Sequence, residues 1–90
     1  MLRSTVMVSN RLGLHARAAA QLVRLASTFE SSIMLSRTDT TATANARSIL
    51  NVLTLAAVQG TTLEITAEGD DEADALNAVK GLFTSGFGEE

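Results

Sequence analysis

The spacing of apolar side chains switches repeatedly between a period of two and a period of three to four along these 90 residues, and that switching limits what the chain can fold into. Arg3 to Ser9 alternates, with Leu2, Ser4, Val6 and Val8 on one face and Arg3, Thr5, Met7 and Ser9 on the other, which reads as a half-buried strand. From Ala16 the pattern turns helical. Ala19, Leu22, Val23, Ala26 and Phe29 fall on one stripe, and Arg17, Gln21, Arg24 and Thr28 on the opposite one. Ser31-Ser32 breaks that pattern, and Ile33 to Arg37 restores period two with Ile33 and Leu35 inward. Thr38-Asp39-Thr40 then turns into a thin strand, Thr41 to Ala44, whose small side chains suit a sheet edge.

Asn45 offers an N-cap for a second helix, Ala46 to about Ala57, with Ile49, Val52, Leu53 and Ala56 as its core stripe and Arg47, Asn51 and Thr54 outside. Leu50 and Leu55 flank that core side, so the helix carries apolar surface to spare for a partner. Gln59-Gly60 ends it, and Thr61 to Ala67 alternates with Leu63, Ile65 and Ala67 inward. Gly69-Asp70-Asp71-Glu72 opens a last helix with acids where the helix dipole favours them, and that helix buries Ala75, Leu76, Val79, Leu82 and Phe83. The tail from Ser85 frays or docks through Phe87.

The order β-α-β-β-α-β-α, with short connections and no internal repeat, predicts an α+β two-layer sandwich. An antiparallel sheet is covered on one face by helices and solvated on the other. Ninety residues are enough for one domain, spanning 1–90, in which roughly 60% of the unfolded surface is buried. Without cysteine there is no disulfide framework or thiolate zinc site, and one histidine cannot supply the usual nitrogen ligands, so we expect no metal and no cofactor. No signal peptide or membrane span is evident, which predicts a cytoplasmic protein with no membrane insertion.

Charge is distributed unevenly. Through Leu63 there are six arginines against Glu30 and Asp39, whereas from Glu64 onward eight acids face Lys80 alone. A basic face on a chain of net charge −3 suits an acidic partner or a phosphoryl group better than a long polyanion. With three Phe and no Trp or Tyr there is little to stack bases on, and no nucleic-acid partner is expected.

The only histidine, His15, stands after Gly13-Leu14 and immediately before the first helical run. The first amides of a helix have no intrahelical partners and the macrodipole is positive there, so this position attracts anions. Neutral imidazole is nucleophilic near pH 7, and Arg17 two residues on can hold phosphoryl oxygens by charge-assisted hydrogen bonds. The sequence has no second histidine, no phosphate-binding loop rich in glycine and no carboxylate cluster near the motif for magnesium. Transfer to and from partners therefore fits better than self-contained hydrolase or kinase chemistry, and the chain is expected not to be an enzyme in its own right. One other class stays open on these residues, a domain binding a phosphate-bearing metabolite noncovalently.

Gly13-Leu14-His15-Ala16-Arg17, with Arg47-Ser48-Ile49-Leu50 some thirty residues later and Gly69-Asp70-Asp71-Glu72 opening the last helix, resembles the HPr family, the histidine phosphocarriers of the bacterial phosphotransferase system. The resemblance implies an open-faced β-sandwich, a four-stranded antiparallel sheet under three helices. It further implies phosphorylation of His15 on Nδ1 by phospho-enzyme I, and relay to IIA-type domains in sugar uptake or its regulation. Ser48 matches the serine phosphorylated by HPr kinase/phosphorylase in some members, which leaves open a non-relay docking regulator controlled at Ser48, and Arg47 stands where lysine is common. Ala18 departs from the family pattern, which has proline there. The Ala18 variation and Leu82 to Phe87 also look like the nitrogen-related NPr branch. Expected partner contacts are the charges Arg24 and Arg47 and the apolar Leu50, Leu53 and Leu55.

Overall fold

The computed structural model describes residues 1–89. Its strands are β1 (Leu2–Met7), β2 (Ser32–Arg37), β3 (Thr43–Asn45) and β4 (Thr62–Glu68), and its helices are α1 (Ala16–Ala26), α2 (Ile49–Thr54) and α3 (Glu72–Thr84). The strands form one antiparallel sheet in the order β1-β4-β2-β3, which places the cleanly alternating β4 in the interior and the thin β3 at an edge. Register aligns the inward residues into rows: Ser4 opposes Ile65, Ile65 opposes Leu35, and Leu35 opposes Ala44. The helices cover that face. Thr62, Glu64 and Thr66 of β4 remain half-exposed on the other, so the sandwich is open-faced as the alternation implied.

Val8, Leu22, Ile33, Leu35, Val52, Leu63, Ile65, Val79 and Phe83 are wholly buried between the layers. Phe83 is the largest of them, and a large-to-small change there costs about 3–5 kcal/mol through lost contact and the cavity left behind. Phe87 does dock: it is buried, with its ring centroid 5.0 Å from that of Phe83 at an interplanar angle of 75°. A single turn of 3-10 helix, Gly86–Gly88, carries it there, with Phe87 itself in the left-handed region at φ 58°.

The largest departure from the sequence reading lies around α2. Asn45 does not cap that helix; it is the last residue of β3. Ala46 stays with the sheet because its N–H donates to Ile33 O at 2.9 Å. The cap is Ser48, whose hydroxyl accepts from Asn51 N, and the helix is six residues long instead of twelve. It stops at Thr54 because Ala56 turns into the left-handed region at φ 50° and the Arg37 guanidinium takes Leu55 O and Ala56 O at 2.9 and 3.2 Å. Ile49 and Ala56, expected in the core, are therefore exposed, while Leu55 and Ala57 are buried. Leu82 is half-buried against the core's edge.

Candidate functional site

The loop before α1 is held in shape by groups far apart in sequence. Gly13 sits at φ +66°, and a Cβ on it would lie 2.5 Å from Ala57 O, so only glycine lets the loop approach this closely. Leu14 N donates to the same carbonyl at 2.9 Å. Inside the loop, Gly13 N donates to Asn10 O, and Asn10 Nδ2 returns a bond to Gly13 O at 2.8 Å. His15 emerges from this frame as the N-cap residue of α1, in extended conformation at φ −74°, ψ 176°.

Most N-cap side chains satisfy one of the helix's open amides; His15 satisfies none. The first backbone bond of α1 runs from Ala19 N to His15 O at 2.8 Å, and the N–H groups of Ala16, Arg17 and Ala18 meet no backbone acceptor among the described residues. There is no acid in the first turn. Proline at position 18 would have removed one donor; Ala18 keeps it, with its methyl group buried in the core. These features leave an unfilled anion-attracting helix end beneath an imidazole.

The ring is half-buried, and both of its nitrogens face acceptors. Nδ1 lies 3.0 Å from Gly13 O, and Nε2 lies 3.1 Å from Glu89 Oε2. The other Glu89 oxygen accepts from Asn10 Nδ2 at 3.0 Å. His15, Arg11, Leu12, Arg17 and Glu89 line one open cleft of about 360 Å³. Among the described residues no group of three or more His, Cys, Asp or Glu is placed to hold a metal ion, and no helix is long and apolar enough to cross a membrane.

Of the residues singled out in the sequence, His15 and Arg17 come together in this cleft, and Arg24 is exposed further along α1. Leu50 is 72% exposed. Leu55 is corrected: at 2% exposure it belongs to the core and presents nothing to a partner. Leu53 is half-buried and packs on the same core. The Arg47 guanidinium is committed to carbonyls at the end of α1 and in the turn after it, bonding Ala26 O, Phe29 O and Ser31 O, so it ties the start of α2 to that turn instead of standing free as a docking charge. Ser48 is half-buried, its hydroxyl engaged in the α2 cap.

Sequence reasoning missed Asn10, Arg11, Leu12 and Glu89. Asn10 had a legible signal, an Asx residue three before a turn glycine. Glu89 reaches His15 only because Phe87 folds the tail back, a contact spanning most of the chain.

An open-faced sandwich that sets a histidine over an uncapped helix start, with an arginine in the same cleft, has the geometry of a protein that handles an anion at a single imidazole. Comparison with known proteins makes that class specific. The family model for the PTS HPr component phosphorylation site matches residues 2–85. The chain is 49% identical over 90 residues to phosphocarrier protein HPr of Treponema pallidum (strain Nichols), covering all of both chains. It is 40% identical over 88 residues to phosphocarrier protein NPr of Escherichia coli (strain K12), covering 98% of this chain and 97% of that one. Its fold superposes with a TM-score of 0.92 on the crystal structure of HPr-C-His from Thermoanaerobacter tengcongensis, at 41% identity over 100% of this chain and 99% of that one. The chain belongs to the HPr family of phosphocarrier proteins, which work in the phosphoryl relay of the phosphotransferase system.

Proposed function

We propose that His15 is the phosphoryl acceptor, taking the group from phospho-enzyme I in the cytoplasm and passing it to an IIA-type domain in sugar uptake or its regulation. The observation that carries this reading is the combination at α1: an N-cap imidazole that leaves the amides of Ala16, Arg17 and Ala18 open, with Arg17 in the same cleft. An incoming phosphoryl group meets donors that need no rearrangement to receive it. The chain then acts as one unit over 1–90, a covalent carrier and not an independent catalyst. In the resemblance Nδ1 makes the bond. Its lone pair forms the N–P bond, the donor's bond to phosphorus breaks with the electron pair returning to the donor, and the proton on Nε2 stays where it is. The Nδ1···Gly13 O contact opens for this step.

Arg24 and Leu50 serve as docking contacts on the exposed sides of α1 and α2, where charge speeds encounter and a small apolar patch permits release. Ser48 is a regulatory site for an HPr kinase/phosphorylase. A phosphate there adds negative charge on the docking side and opposes an acidic or phosphorylated partner. Replacing Ser48→Asp then weakens transfer without unfolding the chain, and an unchanged transfer rate removes the regulatory role. A nitrogen-related NPr carrier is the second reading, which the 40% identity to the Escherichia coli NPr supports less than the 49% identity to the Treponema pallidum HPr supports the first.

The test is incubation with enzyme I, magnesium and phosphoenolpyruvate followed by intact-mass analysis. One acid-labile phosphate, absent from His15→Ala, supports the reading. No phosphate from enzyme I of either the sugar or the nitrogen-related branch overturns it.

A further inference from the structure

We propose that Glu89 and Asn10 are positioning residues of the phosphoryl site: the Glu89 carboxylate, held by the Asn10 amide, fixes the His15 proton on Nε2 and thereby frees Nδ1 to attack. The proposal rests on the carrier reading above and on Nδ1 as the attacking nitrogen. A neutral imidazole has one N–H, yet here both nitrogens face acceptors, Gly13 O at 3.0 Å and Glu89 Oε2 at 3.1 Å. The competition is unequal. A hydrogen bond to a carboxylate is about twice as strong as one to a neutral carbonyl, so the single proton goes to Nε2. The Nδ1···Gly13 O contact then contains no proton and nothing holds it closed.

The carboxylate is itself placed. Asn10 is 5% exposed, and its Nδ2 donates to both Gly13 O and Glu89 Oε1 while its buried Oδ1 finds no partner among the described residues. A buried amide that leaves its own oxygen unpaired has its orientation dictated by the acceptors it serves, here the His15 loop and Glu89. From the other side Glu89 is fixed by the tail, where Glu89 N donates to Gly86 O at 3.0 Å and buried Phe87 anchors the turn on Phe83. Glu89 and His15 are 19% and 28% exposed, which shields the pair in part from screening. Arg11 and Arg17 line the same cleft and offset the added negative charge. When phosphorus joins Nδ1, the ring becomes an imidazolium whose remaining proton sits against the carboxylate, so Glu89 stabilises the phosphorylated ring as well as orienting the free one. This is the relation of a carboxylate to the far nitrogen of a catalytic imidazole, met here in a carrier.

The test combines histidine ¹⁵N NMR of the unphosphorylated chain, well above the ordinary histidine titration range, with phosphorylation rates from enzyme I. Wild type is expected to show the Nε2–H tautomer, and Glu89→Gln to shift the population toward Nδ1–H. The same variant is expected to slow phosphorylation about ten-fold, the size of one hydrogen bond to a charged group. Glu89→Asp should restore part of both, and Asn10→Ser should move both in the same direction as Glu89→Gln. An unchanged tautomer and rate in Glu89→Gln overturns the proposal, and so does faster phosphorylation, which would make the carboxylate an obstruction. The NMR arm needs no donor protein. A chain that shows the tautomer shift but accepts no phosphate therefore refutes the carrier reading and not the placement of the proton.

Discussion

Helices α1 and α3 begin in opposite ways. The first turn of α3 contains Glu72 and Asp74, and Glu72 Oε1 accepts from Gly69 N at 3.2 Å, satisfying a donor at its own entrance. Asp71 beside it accepts the amides of Glu30 and Ser31 at 2.9 Å each, and the Ser31 hydroxyl, stitching α3 to the turn before β2. The first turn of α1 contains no acid and an arginine in place of one, while in neither helix does the cap side chain bond the first amides. One helix meets its positive end with its own acids, and the other leaves that end to an anion from outside in the carrier reading proposed above. The stability α1 forgoes by having no acid in its first turn is about 0.3–1 kcal/mol, which in the proposed carrier is the cost of a site ready before its ligand arrives.

Making α1 resemble α3 breaks the comparison most directly. Arg17→Glu puts an acid in the first turn, where the dipole favours it by about 0.3–1 kcal/mol, so thermal unfolding should show equal or greater stability. Phosphorylation by enzyme I should fall roughly a hundred-fold, because a charge-assisted donor is lost and a like charge gained. Gly13→Ala comes next. Its Cβ would meet Ala57 O at 2.5 Å, which should cost about 1–3 kcal/mol in denaturant unfolding and slow phosphorylation by displacing His15.

Asp71→Asn tests the other helix. It should lower the melting temperature by several degrees yet leave phosphate acceptance unchanged, since Asp71 touches nothing in the cleft. The Ser31 hydroxyl bond, followed by the Glu30 amide, holds the Asp71 carboxyl below its ordinary value, and the Gly69 amide does the same for Glu72. A lowered folded pKa adds stability above the ordinary carboxylate range and loses it as pH falls through the folded value. Wild type should therefore lose stability below about pH 4, and Asp71→Asn should show a shallower acid limb in melts across pH. The smallest expected effect is Ser48→Ala, about 1 kcal/mol from the α2 cap, with the phosphorylation rate of His15 unaltered.

What the sequence revealed follows the range of the interactions involved. The α1 stripe, the β4 alternation and the acids at α3 are local patterns, and the structure has them where those patterns put them. The place of His15 at the start of α1 was legible because a helix start needs only its neighbours to be recognised. Asn45 and Ser48 are both competent caps, and what decides between them is the bond from Ala46 N to Ile33 O, a sheet contact that no local pattern contains. Leu55 went inward for a similar reason, since Arg37 from β2 ends the helix early and turns the chain at Ala56. Asn10 and Glu89 meet across nearly the whole chain, so their part in the site became visible only with the tail folded onto Phe83.

In the proposed carrier the open end of α1 presents His15 for reversible phosphoryl transfer. This role is tested most directly by ³¹P NMR of the chain phosphorylated by enzyme I, before and after adding an IIA-type domain. The account predicts one phosphoramidate resonance on His15 Nδ1 that vanishes as the IIA domain becomes phosphorylated. A phosphate on any other residue, or one on His15 that no IIA domain of either branch removes, would contradict it.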